Sequence, residues 1–143
     1  MIRVKKILYP TDFSSYSNQA YFHALGLAEA YGAALAVVYV HTPGAGDREH
    51  CRGQLEQVRP ANPKIAVSHV LLEGDPATEI ARYAAEAGVD VIVIGTHGRT
   101  GVDRLVMGSV AERVMREAPC SVLVVKLRRG VSAADRAHVA TTA

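Results

Sequence analysis

Five short apolar runs, each separated from the next by a loop or a helical pattern, constrain this chain more than anything else in its sequence. They cover residues 4–10 (VKKILYP), 34–41 (ALAVVYVH), 64–72 (KIAVSHVLL), 89–95 (VDVIVIG) and 121–126 (SVLVVK). Runs with little or no polar interruption are what strands covered on both faces look like. The segments between them carry helical signals. Ser14 or Ser15 can cap a helix in which Ala20, Ala24, Leu27, Ala28 and Tyr31 recur at helical spacing, with Gly32 as its stop. Residues 47–58 can form a short polar helix. Asp75 caps a third helix, Pro76 takes its first position and Gly88 ends it. Ser109 and Glu112 read as a capping box for a fourth, over residues 109–118, which Pro119 terminates. Strand and helix alternate throughout. That defines an α/β fold, a doubly wound open five-stranded parallel sheet with helices on both faces.

A chain of 143 residues suits one domain, here residues 1–127. Residues 128–143 carry no apolar pattern and read as a flexible tail. The net charge is +2, and the basic cluster Lys126, Arg128 and Arg129 reads as a solvated entry to that tail. A nucleic-acid binder shows a concentrated basic face instead, so nucleic acid is not an expected partner. No stretch approaches the length of a membrane span, and the apolar part of MIRVKKILYP is too short for a signal segment. The expectation is a cytoplasmic protein with no membrane partner. Cys51 and Cys120 lie far apart and outside C-x-x-C spacing, which favours a reduced pair, with Cys120 as a small buried hydrophobe.

In a doubly wound sheet, ligands bind beyond the carboxyl ends of the strands, where strand order reverses. That rule selects PTDFS after the first run, HTPG after the second and GTHGRTG after the fourth. The segment GTHGRTGVDRLVMGS holds Gly95, Gly98, Gly101 and Gly108, four of the twelve glycines. Each could serve a tight turn. Together, ending on Gly108 and Ser109 at a helix start, they instead favour close approach by a ligand. The first amides of a helix have no internal partner and carry the positive end of its dipole, so a bare backbone there admits an anion such as phosphate.

Gly95-x-x-Gly98, nine residues, then Gly108-Ser109 resembles the nucleotide-binding signature of the universal stress protein family. The flanking GSVAERVMREAPCSVLVVK and the early ILYPTDFS are similar to that family as well, so the likeness runs from about Ile7 to Lys126. The resemblance implies strand order 3-2-1-4-5. It also implies binding of ATP or another adenine nucleotide, and a homodimer. The fifth strand, with Val122 and Val125 at its ends, would be a sheet edge that invites pairing with a second chain. Carried over by position, Gly95 and Gly98 line the ribose and phosphate path. Gly108, Ser109 and the amide of Val110 hold the phosphates. Pro10, Thr11 and Asp12 form the first-strand loop, with Asp12 near the ribose or the base. The backbone of Val40 reads adenine, and Ile94 is an apolar wall. The chain departs from the family pattern over residues 42–64, which leaves the second helix open.

Other residues weigh evenly or lean structural. Arg99 and Arg104 can neutralise phosphate or simply be surface charge. His97 and His41 are similarly balanced, and His23 and His69 read as ordinary helix and strand residues. Asp12, favoured as a ligand contact, also suits a turn. A hydrolase needs a positioned base and usually a metal. Asp12 is the sole acid placed at the site, although Mg²⁺ can ride on phosphates. A nucleotide-dependent stress-response or signalling module is therefore favoured over a catalyst, with slow ATP hydrolysis as an alternative. A phosphoacceptor domain of the receiver type is another, sharing the fold, but it needs an acidic cluster and an acceptor aspartate ending the third strand. A nucleotidyltransferase or ATP pyrophosphatase would carry its glycines after the first strand, where this chain has PTDFSS.

Overall fold

The computed structural model describes residues 2–96 and 108–126, and the structural statements below concern those residues. The tail expected over residues 128–143 lies outside them, as do His97, Gly98, Arg99, Gly101 and Arg104. In chain order the elements are β1 (Lys6–Pro10), α1 (Ser15–Tyr31), β2 (Ala34–His41), α2 (Arg48–Glu56), β3 (Val67–Glu73), α3 (Pro76–Ala87), β4 (Val91–Gly95), α4 (Ser109–Glu117) and β5 (Ser121–Val125). The strands form one sheet in the order β3-β2-β1-β4-β5, and every neighbouring pair is parallel.

Alternation along each strand sends side chains to two separate cores. Ile7, Tyr9, Leu35, Val37 and Val93 meet Ala20, Ala24 and Ala28 of α1 and Cys51 and Leu55 of α2. Leu8, Ala36, Val38, Ile92 and Ile94 meet Ala77, Ile80 and Ala84 of α3 and Ala111 and Val114 of α4. Each large side chain buried this way contributes about 1.5–3 kcal/mol, and the central strands β1 and β2 carry most of them, Ile7, Leu8 and Tyr9 on the first and Leu35, Val37, Val38, Tyr39 and Val40 on the second. The chain lays down β1, β2 and β3 in one direction, then crosses β1 to place β4 on its other side. The reversal of strand order therefore falls between β1 and β4.

β2 and β5 start where the apolar pattern predicts, at Ala34 and Ser121, while β1, β3 and β4 start later. The first strand begins at Lys6 because the backbone amides of Lys5 and Lys6 both donate to Asp90 Oδ2, at 2.8 and 3.0 Å. Those two bonds hold the Asp90 carboxyl below its usual range and tie the turn before β4 to β1. At the third strand, Asn62 Oδ1 accepts from the Lys64 amide and the Asn62 carbonyl from Ile65, which makes a turn where a strand start was expected.

The helix termini follow their signals except at α4. Ser14, Asp47 and Asp75 cap α1, α2 and α3, each accepting a backbone N–H of the first turn. The capping box expected at Ser109 and Glu112 is not formed. The Gly108 carbonyl accepts the first helical bond, from the Glu112 amide, so Gly108 is the cap residue and Ser109 is already helical. The Glu112 carboxylate pairs with Arg116 at 3.0 Å instead of turning back.

Candidate functional site

The loop after β1 is held by its own short side chains. The Thr11 amide extends the ladder by donating to Val38 O at 2.8 Å. Thr11 Oγ1 then accepts from the Phe13 amide at 3.0 Å, and Asp12 Oδ1 from the Ser14 amide at 2.9 Å. Between these bonds Phe13 takes a left-handed conformation with φ 65°, uncommon for a bulky residue, and its ring stacks on Tyr39 with centroids 4.5 Å apart. Asp12 thus does serve the turn, and it lines the cleft described below as well.

Ladder parity places the polar atoms of β2. Ala34 donates to Lys5 O, and Val38 O accepts from Thr11, so even-numbered residues of β2 turn their backbone toward β1. Leu35, odd, donates to Ala66 O on the β3 side. Val40 belongs to the even set, but β1 has ended at Pro10. The N–H and C=O of Val40 therefore face the space beyond β1, a donor and an acceptor side by side.

On the other side of β1, the Thr96 amide donates to Val125 O at 3.0 Å and the Gly108 amide donates to Thr96 O. The chain thus re-enters beside the point where it left. Gly95 lies in extended strand and Gly108 has φ −63°, so neither of these two glycines is required by a positive φ. Gly108 gives α4 a cap residue with no side chain to bond the helix amides. α4 alone among the described helices has this open N-terminus. The amides of Ser109, Val110 and Ala111 lie in its first turn, where a helix supplies no partner.

These pieces meet in a single cleft of about 260 Å³, at the carboxyl ends of β1 and β4. Pro10, Thr11, Asp12, Val40, Ile94 and Gly95 line it, and so do Gly108, Ser109 and Val110. All the candidate residues among those described are brought together; Gly98 and Arg99 lie outside the described residues. Sequence reasoning missed the wall that α3 contributes, Pro76 and Ile80, together with Tyr39 and Thr96. Pro76 read only as a helix-start residue. Parity along β2 marks Val38 and Val40 as facing α3, and that is the signal that could have found the wall.

Other candidates are placed elsewhere. His41 Nε2 bonds the Gly46 carbonyl at 2.9 Å and holds the loop after β2. His69 Nε2 bonds Val58 O at 2.7 Å, and His23 Nδ1 bonds Gln19 O one turn back. Cys51 and Cys120 are free thiols; Cys51 is buried, while Cys120 is half-buried, and burial followed by the Asp90 charge pushes its thiol up. Asp12 is the one acid among the lining residues, and no group of three metal-ligating side chains occurs among the described residues. No helix among them is long and apolar enough to cross a membrane.

A five-stranded parallel sheet in this order, with helices on both faces and a cleft where the strand order reverses, defines a doubly wound α/β domain. Residues 3–126 match the universal stress protein family, and the chain belongs to that family. A universal stress protein of Methanocaldococcus jannaschii is 37% identical over 139 residues, covering 85% of this chain and 82% of the relative. Two solved structures share the fold at 24% identity. One is a universal stress protein in complex with cAMP, TM-score 0.70, covering 87% of this chain and 98% of that one. The other is the universal stress protein from Archaeoglobus fulgidus in complex with dAMP, TM-score 0.65, covering 88% of this chain and all of that one.

Proposed function

We propose that this chain is a nucleotide-dependent stress-response or signalling module that binds an adenine nucleotide, ATP, in the cleft between β1 and β4. The observation that carries this reading is the pairing of two backbone features across one cleft. At one end Val40 offers an N–H and a C=O side by side, the complement of the adenine edge, which has an acceptor ring nitrogen next to an amino donor. At the other end α4 offers first-turn amides with no side-chain cap among the described residues, at the positive pole of a helix, the complement of phosphate. Ile94 and Ile80 supply apolar walls between them, and Asp12 supplies an acceptor for ribose hydroxyls. The fold-sharing proteins solved with cAMP and dAMP both hold an adenine nucleotide.

Binding without turnover is the better-supported activity. Asp12 already accepts the Ser14 amide, which makes it a poor free base. Mg²⁺ fits this site only as a rider on the phosphates, coordinated mainly by phosphate oxygens and water. The receiver-type alternative loses its acceptor: β3 is followed by Asp75, whose carboxylate caps α3 and pairs with Arg113. The protein works in the cytoplasm as a homodimer joined along β5. The direct test is to heat-denature protein purified from its host or a heterologous one and identify what is released by mass. An adenine nucleotide at near one equivalent supports the reading. No released nucleotide, together with no heat on titrating ATP into the protein, refutes it.

A further inference from the structure

α3 and α4 flank the cleft on the same face of the sheet. α3 contributes Pro76 and Ile80, and α4 contributes Ser109 and Val110. Behind these residues the two helices share an apolar cluster in which Ala77, Ala84 and Ala111 are small. The side chains at such a contact set the distance between the two helix axes.

Arg113 spans this pair of helices from α4. Its Nη1 donates to Asp75 Oδ2 at 2.8 Å and its Nη2 to Thr78 Oγ1 at 3.0 Å, while Nε donates to Glu117 Oε2 at 3.1 Å. Asp75 Oδ2 is also the cap of α3, accepting from the Thr78 amide at 3.1 Å and the Thr78 hydroxyl at 2.7 Å. The Thr78 bonds first, and Arg113 after them, hold the Asp75 carboxyl below its usual range. A planar guanidinium reaches several acceptors at fixed angles, which a lysine ammonium does not. Arg113 stands one helical turn from Ser109, and Asp75 stands next to Pro76. The clasp therefore joins the two helix starts that rim the cleft.

We infer that Arg113 is a positioning residue for the nucleotide: by clasping Asp75 it sets the spacing between the base-side wall on α3 and the phosphate-side terminus of α4. This rests on the adenine-nucleotide reading above. A ligand that touches both ends depends on the clasp, and a ligand that touches one end does not. ATP touches both, adenosine the first, and inorganic tripolyphosphate the second.

The test is calorimetric titration of the full chain with ATP, adenosine and tripolyphosphate, with a melting temperature for each variant. Arg113→Met should weaken ATP roughly three- to tenfold, the scale of couplings between contacting residues, and leave the other two ligands within about twofold. Arg113→Lys should recover part of the loss. Asp75→Asn, whose amide keeps the α3 cap, should also weaken ATP, and Asp75→Asn with Arg113→Met should be no worse than the weaker single variant. Were Arg113 only a positive charge near the phosphates, Asp75→Asn would strengthen ATP, and tripolyphosphate would weaken along with ATP in Arg113→Met. Either result overturns the clasp, as does unchanged ATP affinity or a parallel loss for all three ligands with a lower melting temperature. A parent protein that binds neither ATP nor adenosine overturns the nucleotide reading and the clasp with it, and its flat titration tells that failure apart.

Discussion

Asp12 carries two duties that one substitution can separate. Its Oδ1 holds the Ser14 amide, and its side chain lines the cleft. Asp12→Asn keeps an acceptor for the turn but removes the charge; Asp12→Ala removes both. If the carboxylate bonds the ribose, Asp12→Ala should cost roughly 1.5–3 kcal/mol of affinity, equally for ATP and adenosine. Asp12→Asn should retain the melting temperature while losing part of that affinity. Calorimetry on both variants checks this, and a destabilised Asp12→Ala with parental affinity per folded molecule would leave Asp12 a turn residue only. Tyr21 offers a second residue-scale test. Its hydroxyl is covered and has no hydrogen-bond partner among the described residues, and burial, then the neighbouring Tyr9, pushes its pKa up to about 12. The folded state holds that proton more tightly than the unfolded chain, so the contribution of Tyr21 is constant below about pH 10 and is lost between about pH 10 and pH 12. Tyr21→Phe should flatten that alkaline decline and, by removing an unsatisfied buried hydroxyl, raise stability by about 1 kcal/mol near neutrality. Urea denaturation of variant and parent at neutral and alkaline pH measures both effects; a less stable variant, or one with the parental alkaline slope, would contradict the assignment.

Helix caps were legible in the sequence because each is one residue with one job. Ser14, Asp75 with Pro76, Gly32 and Gly88 all stand where composition puts them. The α4 start was misread because Ser109 and Glu112 fit a capping box by spacing, while the residue that terminates the helix is the glycine before them. A glycine cap leaves no side-chain signal, and in the proposed function that silence is what leaves the helix start open to phosphate. The starts of β1 and β3 were misplaced because hydrophobic pattern reports burial, and burial continues past the last ladder bond; Val4 and Ile65 are buried outside their strands. The balance between conformation and propensity gives a prediction at this scale from one substitution at two glycines. Gly88 closes α3 in the left-handed region, φ 67°, with open space around its missing side chain. Gly53 sits inside α2, likewise with nothing near. Gly88→Ala should destabilise by about 1 kcal/mol, and Gly53→Ala should stabilise by roughly 0.5–1 kcal/mol. Thermal denaturation reads both, and shifts of the same sign would contradict the account of either helix.

The doubly wound parallel class followed from apolar runs alternating with helical patterns, since continuous strands demand cover on both faces; the strand order 3-2-1-4-5 came from the family resemblance. The cleft followed from the rule that ligands gather where strand order reverses. What stayed hidden was the packing of α3 across the end of β2, because no local signal records which helix leans over which strand. Among the described residues β5 pairs with β4 alone, and Leu123 on it is 39% exposed. An apolar edge strand of this kind invites a second chain, and an antiparallel pairing about a two-fold axis would use it twice. Val124 packs with the α3 and α4 core, so Leu123 is the cleaner probe of that edge. If the proposed homodimer forms along this edge, Leu123→Lys should shift it from dimer to monomer in analytical ultracentrifugation while keeping the melting transition, and a monomeric parent would contradict the proposal. A dimer of parental affinity would place the interface elsewhere.

The central claim is that the open N-terminus of α4 receives the phosphates, and Gly108→Asp tests it most directly. The backbone at Gly108, φ −63° and ψ 150°, is one that an aspartate adopts without strain. Its carboxylate would cap the helix as Asp75 caps α3, filling the anion position from within the chain. The variant should therefore melt no lower than the parent, bind adenosine about as well, and lose ATP affinity by at least roughly tenfold, about 1.4 kcal/mol. A folded Gly108→Asp protein that binds ATP as tightly as the parent would contradict the account, because the amides assigned to phosphate would then already be occupied.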